Sequence, residues 1–464
     1  MSTTAAFVDS DEIRSRFSRA MSEMYREEVP KYGTLIDLVE DINAACLQAT
    51  PALRQRLERD GELDRLSVER HGAIRLGSAQ ELADMRRIFA VMGMKAVGYY
   101  DLSVAGVPVH STAFRPVDDA ALSRNPFRVF TSLLRLELID DTQLREEAAA
   151  ILAKRAIFTP RALALTAEFE ARGGLTDAQA GEFVNEVRET FRWHGDATVS
   201  AATYHKLHDA HRLIADVVCF KGPHINHLTP RTLDIDAAQA EMPKRGIAAK
   251  DVIEGPPRRE HPILLRQTSF KALQERIAFV GDEQAGAGTH TARFGEIEQR
   301  GMALTSKGRT LYDELLGQVR DTGGAGNAGA NYEDRLADAF RAFPDDLEQI
   351  RQQGLAFFRY SLEDIKKAKP VLETAGWDLD ALIAAGAVVA SPIIYEDFLP
   401  VSAAGIFQSN LGGTEQKSYA ANAAKQAFER DLGAQVLDEI ALYEQSEQAS
   451  LEALRHLLGM GVTV

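Results

Sequence analysis

Arg70-His71-Gly72-Ala73-Ile74-Arg75-Leu76 and Ile225-Asn226-His227-Leu228-Thr229-Pro230-Arg231 decide the reading of this chain. They read as variants of one segment, and each places a histidine at the start of a strand. Their downstream neighbours are also alike. After His71 come a helical stretch, a glycine, a strand and Ser111-Thr112-Ala113-Phe114. After His227 come a helical stretch, a glycine and Gln267-Thr268-Ser269-Phe270. A repeated βαβββ-like unit with a histidine on its first strand predicts a paired module that holds a metal between its halves. A metalloenzyme is the leading expectation.

Working outward from the first segment, residues 72–77 read as a strand and Ser78 can cap a helix over 79–92, with Glu81 three residues on as a capping-box partner. Gly93 closes that helix, and 97–102 and 109–114 alternate like strands. Upstream, 11–48 and 51–63 carry apolar residues at helical spacing. Residues 118–215 break the repeat. Their Leu, Ala, Glu and Arg content predicts helices at 133–137, 146–155, 160–170 and 177–191, hence a helical insertion. The second unit is expected to hold a helix at 236–245 and strands at 263–269, 277–280 and 295–297; the Gly-containing loop 286–289 has no phosphate-binding frame. A helix over 305–322, a Gly/Ala/Asn loop at 323–329, short strands at 356–359 and 388–394, and long helices from 416 to 458 complete the chain. The expected class is α+β, in four segments: N-terminal helices with the first module (1–117), the helical insertion (118–215), the second module (216–310), and a mostly helical C-terminal lobe packed on the modules (311–464).

Composition narrows the function classes. A chain of 464 residues can bury a large core, and 45% hydrophobic with 26% charged residues is ordinary for a soluble globular protein. A net charge of −15 argues against a nucleic-acid partner, because phosphate binding needs basic patches. A few arginines in a cleft can still attract a small anion. Two cysteines, Cys46 and Cys219, fit a reducing cytosol better than a disulfide framework. The first residues show no basic, then apolar, signal-peptide pattern, and no apolar run approaches the roughly 20 residues of a membrane span. A cytoplasmic protein without a membrane partner is expected.

His71 and His227 hold corresponding positions, so an approximate two-fold axis between the units brings both imidazoles to one cleft. A third ligand should come from a late strand, and Arg293-Phe294-Gly295-Glu296-Ile297-Glu298 offers it. On a strand Glu296 and Glu298 face the same side, so spacing does not choose between them. Two histidines and a carboxylate with open positions suit non-haem Fe(II) and O₂. A lone histidine at a strand mouth is more often structural; correspondence across a repeat is what raises the metal reading. His224 is the nearest rival to His227, with an outer role as its alternative. His205, His208 and His211 lie at successive three-residue spacings on a helix, but without a carboxylate in a zincin frame a polar helix face is the better account. His110, His194, His261, His290 and His456 carry no spacing signal and read as surface or structural. Arg75 lies an even offset beyond His71, hence on the same face, where its fork suits a substrate carboxylate. A structural salt bridge is the competing role. Arg115 and Arg266 are weaker candidates of the same type.

The chain resembles the 2-oxoadipate dioxygenase/decarboxylase (hydroxyglutarate synthase) family, a divergent branch of the vicinal oxygen chelate superfamily. The segments that carry the likeness are His71-Gly-Ala-Ile-Arg75, Tyr100-Asp-Leu-Ser103, Ser111-Thr-Ala-Phe-Arg-Pro116, Gly222-Pro-His-Ile-Asn-His-Leu-Thr-Pro-Arg231, Arg293-Phe-Gly-Glu296 and Tyr395-Glu-Asp-Phe-Leu-Pro-Val-Ser402. The resemblance implies paired modules forming a central metal-holding sheet, a ferrous ion held by His71, His227 and Glu296, and Arg75 gripping a substrate carboxylate. Val401 and Ser402 would add a further wall of the pocket. The implied reaction takes 2-oxoadipate and O₂ to 2-hydroxyglutarate, the D isomer expected, and CO₂, in lysine catabolism. Two other classes remain open: a Zn²⁺- or Ni²⁺-dependent lyase or isomerase on the same scaffold, and a non-catalytic metal-binding protein.

Overall fold

The repeat of the sequence becomes a sheet centred on one short antiparallel strand pair. The structure, a computed structural model, describes residues 6–250, 252–270, 273–281, 288–291, 293–321, 331–399 and 418–460. Strand β1 (Arg70–Leu76), the helix Ala79–Val91, and strands β2 (Lys95–Asp101), β3 (Val109–Arg115) and β4 (Arg128–Leu134) form a βαβββ unit with strand order β2-β3-β4-β1. β4 runs parallel to β1, setting Arg128 opposite His71 and Ser132 opposite Arg75. β5 (Leu228–Pro230) adds to the far edge of β1 in antiparallel sense. Ser78 caps the helix as expected, accepting from the Glu81 N–H. Glu81 reaches back one residue further than a capping box requires, to the Gly77 N–H at 2.7 Å.

Strand alternation splits this sheet into two chemically different faces. Ile74, Leu76, Phe114, Val129 and Leu133 pack with Phe17, Leu82, Met85, Phe89 and Phe183 of the helices. Ala73, Val109, Ala113, Phe130 and Leu134 belong to a second apolar cluster that includes Phe398. His71 and Arg75 share the second face, because they alternate with Ile74 and Leu76.

The second half repeats the plan with shorter elements. The helix Ile235–Glu241 comes after β5, then β6 (Leu265–Ser269), β7 (Glu275–Ile277), β8 (Gly288–His290) and β9 (Glu296–Arg300). β6 pairs with β9 and β7 with β8. The last strand again lies parallel to the first, through the bridge between Arg231 and Glu298. The expected class, α+β with paired modules, describes this arrangement.

Three expectations need correction or qualification. The segment 118–215 is not wholly helical: Arg-Val-Phe-Thr-Ser-Leu-Leu at Arg128–Leu134 is strand β4, inside the sheet of the first unit. All seven of its residues are buried, so the polar alternation that marks a half-exposed strand is missing, and Leu133 and Leu134 read as the start of a helix. The segment 311–464 is also not one body. Contacts divide the chain into a first unit of 1–254, 267–299 and 397–437 and a second of 255–266, 300–396 and 438–464. Asp397 belongs with the first unit because Arg115 takes both its oxygens, at 2.6 and 2.9 Å, and both side chains are buried. Of the expected Gly-containing loops, 288–289 lie in β8, while 286–287 and 323–329 lie outside the described residues.

In the second unit β10 (Phe358–Leu362) and β11 (Val388–Pro392) form an antiparallel pair. The helix Glu439–Leu457 lies along β10, its Glu447 carboxylate accepting the Phe358 N–H at 2.8 Å and Ser450 Oγ the Tyr360 N–H at 3.0 Å. Among the described residues no helix is long and apolar enough to cross a membrane.

Candidate metal centre

In the β1–β5 pairing Gly72 stands opposite Leu228 and His71 opposite Thr229. His71 and His227 each precede one member of the Gly72–Leu228 pair, so that pair is the point about which the two halves are related. Residues 71, 73, 227 and 229 then all project from one face. Glycine at 72 is a requirement of close approach: a Cβ there meets Ile225 Cδ1 at 2.5 Å and the His227 carbonyl oxygen at 2.9 Å.

The two imidazoles meet edge to face, ring centroids 5.3 Å apart, and both are buried. Glu296, the first residue of β9, brings Oε1 to 3.2 Å from His71 Nε2 and 3.9 Å from His227 Nε2. One ligand atom from each of the three residues lies within 4.8 Å of the others. The same Oε1 accepts from Thr229 Oγ1 and Gln267 Nε2, each at 3.0 Å, which fixes the carboxylate's direction. Glu298 Oε2 lies 2.9 Å from the other nitrogen of His71, Nδ1. That separates the two glutamates which spacing left equivalent: one faces both imidazoles, the other stands behind His71.

The electrostatics suit a cation. Burial pushes His227 down to about 4, so its imidazole is neutral and keeps a lone pair for ligation. Burial opposes charge on Glu296 too, but His227, His71 and the Thr229 hydroxyl outweigh it and hold the carboxyl below its ordinary value. For His71 burial is outweighed by Glu298 and Glu296, which raise it. Carboxylates that favour a proton on His71 favour a divalent ion in its place. Two neutral-capable imidazoles and one carboxylate, all buried, are a donor set that fits Fe(II). Arg128, opposite His71 in the sheet, gives its Nη2 to Glu69 at 2.9 Å, so its charge is balanced by a buried carboxylate. Phe398 closes one side, 5.0 Å from the His71 ring and 5.3 Å from Phe130.

The remaining candidates are placed elsewhere. Arg75 shares the face of His71 and donates from Nη1 to Asp216 Oδ2 at 2.6 Å. Arg115 is committed to Asp397, and Arg266 is buried on β6. Val401 and Ser402 lie outside the described residues. His224 sits 3.3 Å from Asp216 and against Trp193, away from the ligand set. His208 is exposed, and His211 accepts the Leu213 N–H as a helix cap; among the described residues the three helix histidines form no ligand group. His290, read from the sequence as surface or structural, is buried and bonded to Asp216 and Tyr204. No sequence signal singles out Asp216; Gln267 opens a repeat segment, and Asp397 and Phe398 lie in a segment that carries the family likeness, but none of the three has a role of its own in the sequence reading. Thr229 was within reach, since it lies two residues beyond His227 on the same face.

Known proteins share the sequence and the fold of this chain. The 2-oxoadipate dioxygenase/decarboxylase family model covers residues 17–410. The chain belongs to the 2-oxoadipate dioxygenase/decarboxylase family. It is 60% identical to the 2-oxoadipate dioxygenase/decarboxylase of Pseudomonas putida over 98% of both chains, and 60% identical to that of Escherichia coli over 96% of this chain and 98% of the other. A crystal structure of the Pseudomonas putida hydroxyglutarate synthase in complex with 2-oxoadipate superposes with a TM-score of 0.91 at 59% identity, covering 98% of this chain and 99% of that one. The family expected from the sequence segments is thus the observed one, and the chain is an enzyme of the oxygenase class.

Proposed function

We propose that this chain holds Fe(II) through His71, His227 and Glu296 and converts 2-oxoadipate and O₂ to D-2-hydroxyglutarate and CO₂. Atoms balance with one carbon lost as CO₂ and both oxygen atoms of O₂ retained in the products. The observation that carries the proposal is the buried grouping of three ligand atoms within 4.8 Å, on the sheet face that also carries Arg75. The bound ion would supply activation of O₂. The chain's own residues supply the rest: Thr229 and Gln267 hold Glu296, Glu298 stands behind His71, and Phe398 with Phe130 keeps water from one flank.

Arg75 is assigned to the distal carboxylate. It lies four residues along β1 from His71, about 13 Å between Cα atoms at the rise of a strand. A group at that remove suits the far end of a diacid whose 2-oxo acid end lies at the ligand set. Val401 and Ser402 are proposed as a further wall of the pocket. The two unpaired cysteines support a cytoplasmic setting, and lysine catabolism is the pathway proposed for the reaction.

The test is anaerobic reconstitution with Fe(II), then O₂ uptake and CO₂ release on adding 2-oxoadipate. One CO₂ per O₂ is expected, with both lost in His71→Ala, His227→Ala and Glu296→Ala. Turnover without O₂ on Zn²⁺ or Ni²⁺ would replace this proposal with lyase or isomerase chemistry. Arg75→Lys should raise KM for 2-oxoadipate markedly, since an ammonium lacks the two-pronged fork; an unchanged KM removes the clamp.

A further inference from the structure

We propose that Asp216 is a positioning residue for the substrate-binding arginine: it grips Arg75 by one nitrogen and so presents the opposite edge of the guanidinium to the substrate carboxylate. This rests on the assignment of Arg75 as the clamp.

Among the described residues, both partners of the Arg75 side chain use the same atom. Nη1 lies 2.6 Å from Asp216 Oδ2. It also lies 3.0 Å from the side-chain oxygen of Asn226, with that amide oriented so that its nitrogen donates to the Ala73 carbonyl and its oxygen accepts from His224 Nε2. Among the described residues Nε and Nη2 have no protein partner, and the side chain is 17% exposed. Nε and Nη2 lie on one edge of the guanidinium, and their parallel N–H groups match the two oxygens of a carboxylate. The described residues therefore hold the fork by its back and leave the two-pronged edge open to a ligand.

Asp216 is built to stay fixed. It lies buried on the helix Arg212–Val218, which comes before β5, the first strand of the second half. His290 Nε2 reaches its Oδ1 at 2.9 Å, and His224 Nε2 lies 3.3 Å from the same oxygen. The other nitrogen of His290 meets the Tyr204 hydroxyl at 2.8 Å. With that hydroxyl donating to Nδ1, Nε2 carries the ring proton and donates to Asp216. Trp193 packs edge-on to His224, centroids 4.7 Å apart, and parallel to His290. Burial works against the Asp216 charge, but His224, Arg75 and His290 outweigh it and hold the carboxyl well below its ordinary value. A long, flexible cation is thus ordered before substrate arrives, and the ordering cost does not fall on binding.

The test is a double-mutant cycle on the iron-loaded enzyme. Asp216→Asn should raise KM for 2-oxoadipate about tenfold with a smaller change in kcat, and with iron content equal to that of the parent. In an Arg75→Lys background the same change should add less than about twofold, because the group being positioned has gone. A merely structural role predicts equal losses in both backgrounds. If Asp216→Asn does not fold, Asp216→Glu carries the test: its displaced charge should raise KM by about threefold with Arg75 present and leave it unchanged in the Arg75→Lys background. An unchanged KM in the folded variant, or a full effect in both backgrounds, overturns the proposal. A raised KM in Arg75→Lys beside a normal one in Asp216→Asn overturns the positioning role alone; a normal KM in Arg75→Lys overturns the clamp itself.

Discussion

Replacing Glu298 by glutamine probes the centre without touching a proposed ligand. Glu298 is fully buried and its Oε2 lies 2.9 Å from His71 Nδ1, on the side of the ring away from Glu296. A carboxylate behind a ligating histidine fixes the ring and raises its basicity, and losing such a partner weakens metal binding by about 10- to 100-fold. That is about 1.4–2.7 kcal/mol. Glutamine keeps the volume and the β9 backbone, so the sheet should survive. At a metal concentration about one hundred times the parent Kd, bound metal stabilises the parent fold by about 2.7 kcal/mol. A variant weaker by about thirtyfold retains about 0.9 kcal/mol under the same conditions. The assay is anaerobic chelator competition for Fe(II), repeated with Co(II) as a spectroscopic probe, alongside Glu296→Gln. Glu296→Gln removes a ligand oxygen and should lose more affinity than Glu298→Gln. A Kd for Glu298→Gln within about twofold of the parent refutes the outer role. A larger loss there than in Glu296→Gln means the two glutamates have been assigned the wrong way round.

Gly72→Ala puts a Cβ 2.9 Å from the His227 carbonyl oxygen, a backbone atom that cannot step aside, so β5 must part from β1; metal titration should show affinity lost out of proportion to the loss of helical signal. Arg115→Met leaves the buried Asp397 charge without its bidentate partner; a stability loss of about 3–5 kcal/mol is expected by urea denaturation, and an unshifted midpoint contradicts it. Phe398→Leu opens a gap between His71 and Phe130; the ratio of 2-hydroxyglutarate formed to O₂ consumed should fall below that of the parent, and an unchanged ratio shows that Phe398 does not guard the site.

The grouping of His71 with His227 was legible because two local signals agree. The repeat places His71 and His227 at matching strand starts, and the period of a strand puts Arg75 on the face of His71. The β1–β5 register supplies what the repeat alone does not: Gly72 opposite Leu228 makes the two histidines near neighbours. The pattern fails at β4, although the equally buried β3 reads as a strand. β4 has no exposed face, so its sequence lacks the alternation that marks a strand, and its last residues read as helix. Glu296 and Glu298 share a face in the sequence and in the fold; only the position of the His71 ring between their carboxylates separates them.

The groups to which the sequence reading gives no role have a common origin. Asp216 comes from the helical segment between the repeats, and Asp397 and Phe398 from the segment after them. None has a counterpart in the other half, so the symmetry that exposes the histidines is silent about them. Yet each meets a residue of the first module: Asp216 the Arg75 guanidinium, Asp397 that of Arg115, Phe398 the rings of His71 and Phe130. The repeated part of the chain thus provides the proposed ligands, and the additions hold Arg75 and Arg115 and place Phe398 against His71. A symmetric pair of half-sites has no means of telling one end of a substrate from the other. A diacid with a 2-oxo group at one end needs that distinction, which the proposal gives to Arg75, and Asp216 from outside the repeats holds that arginine.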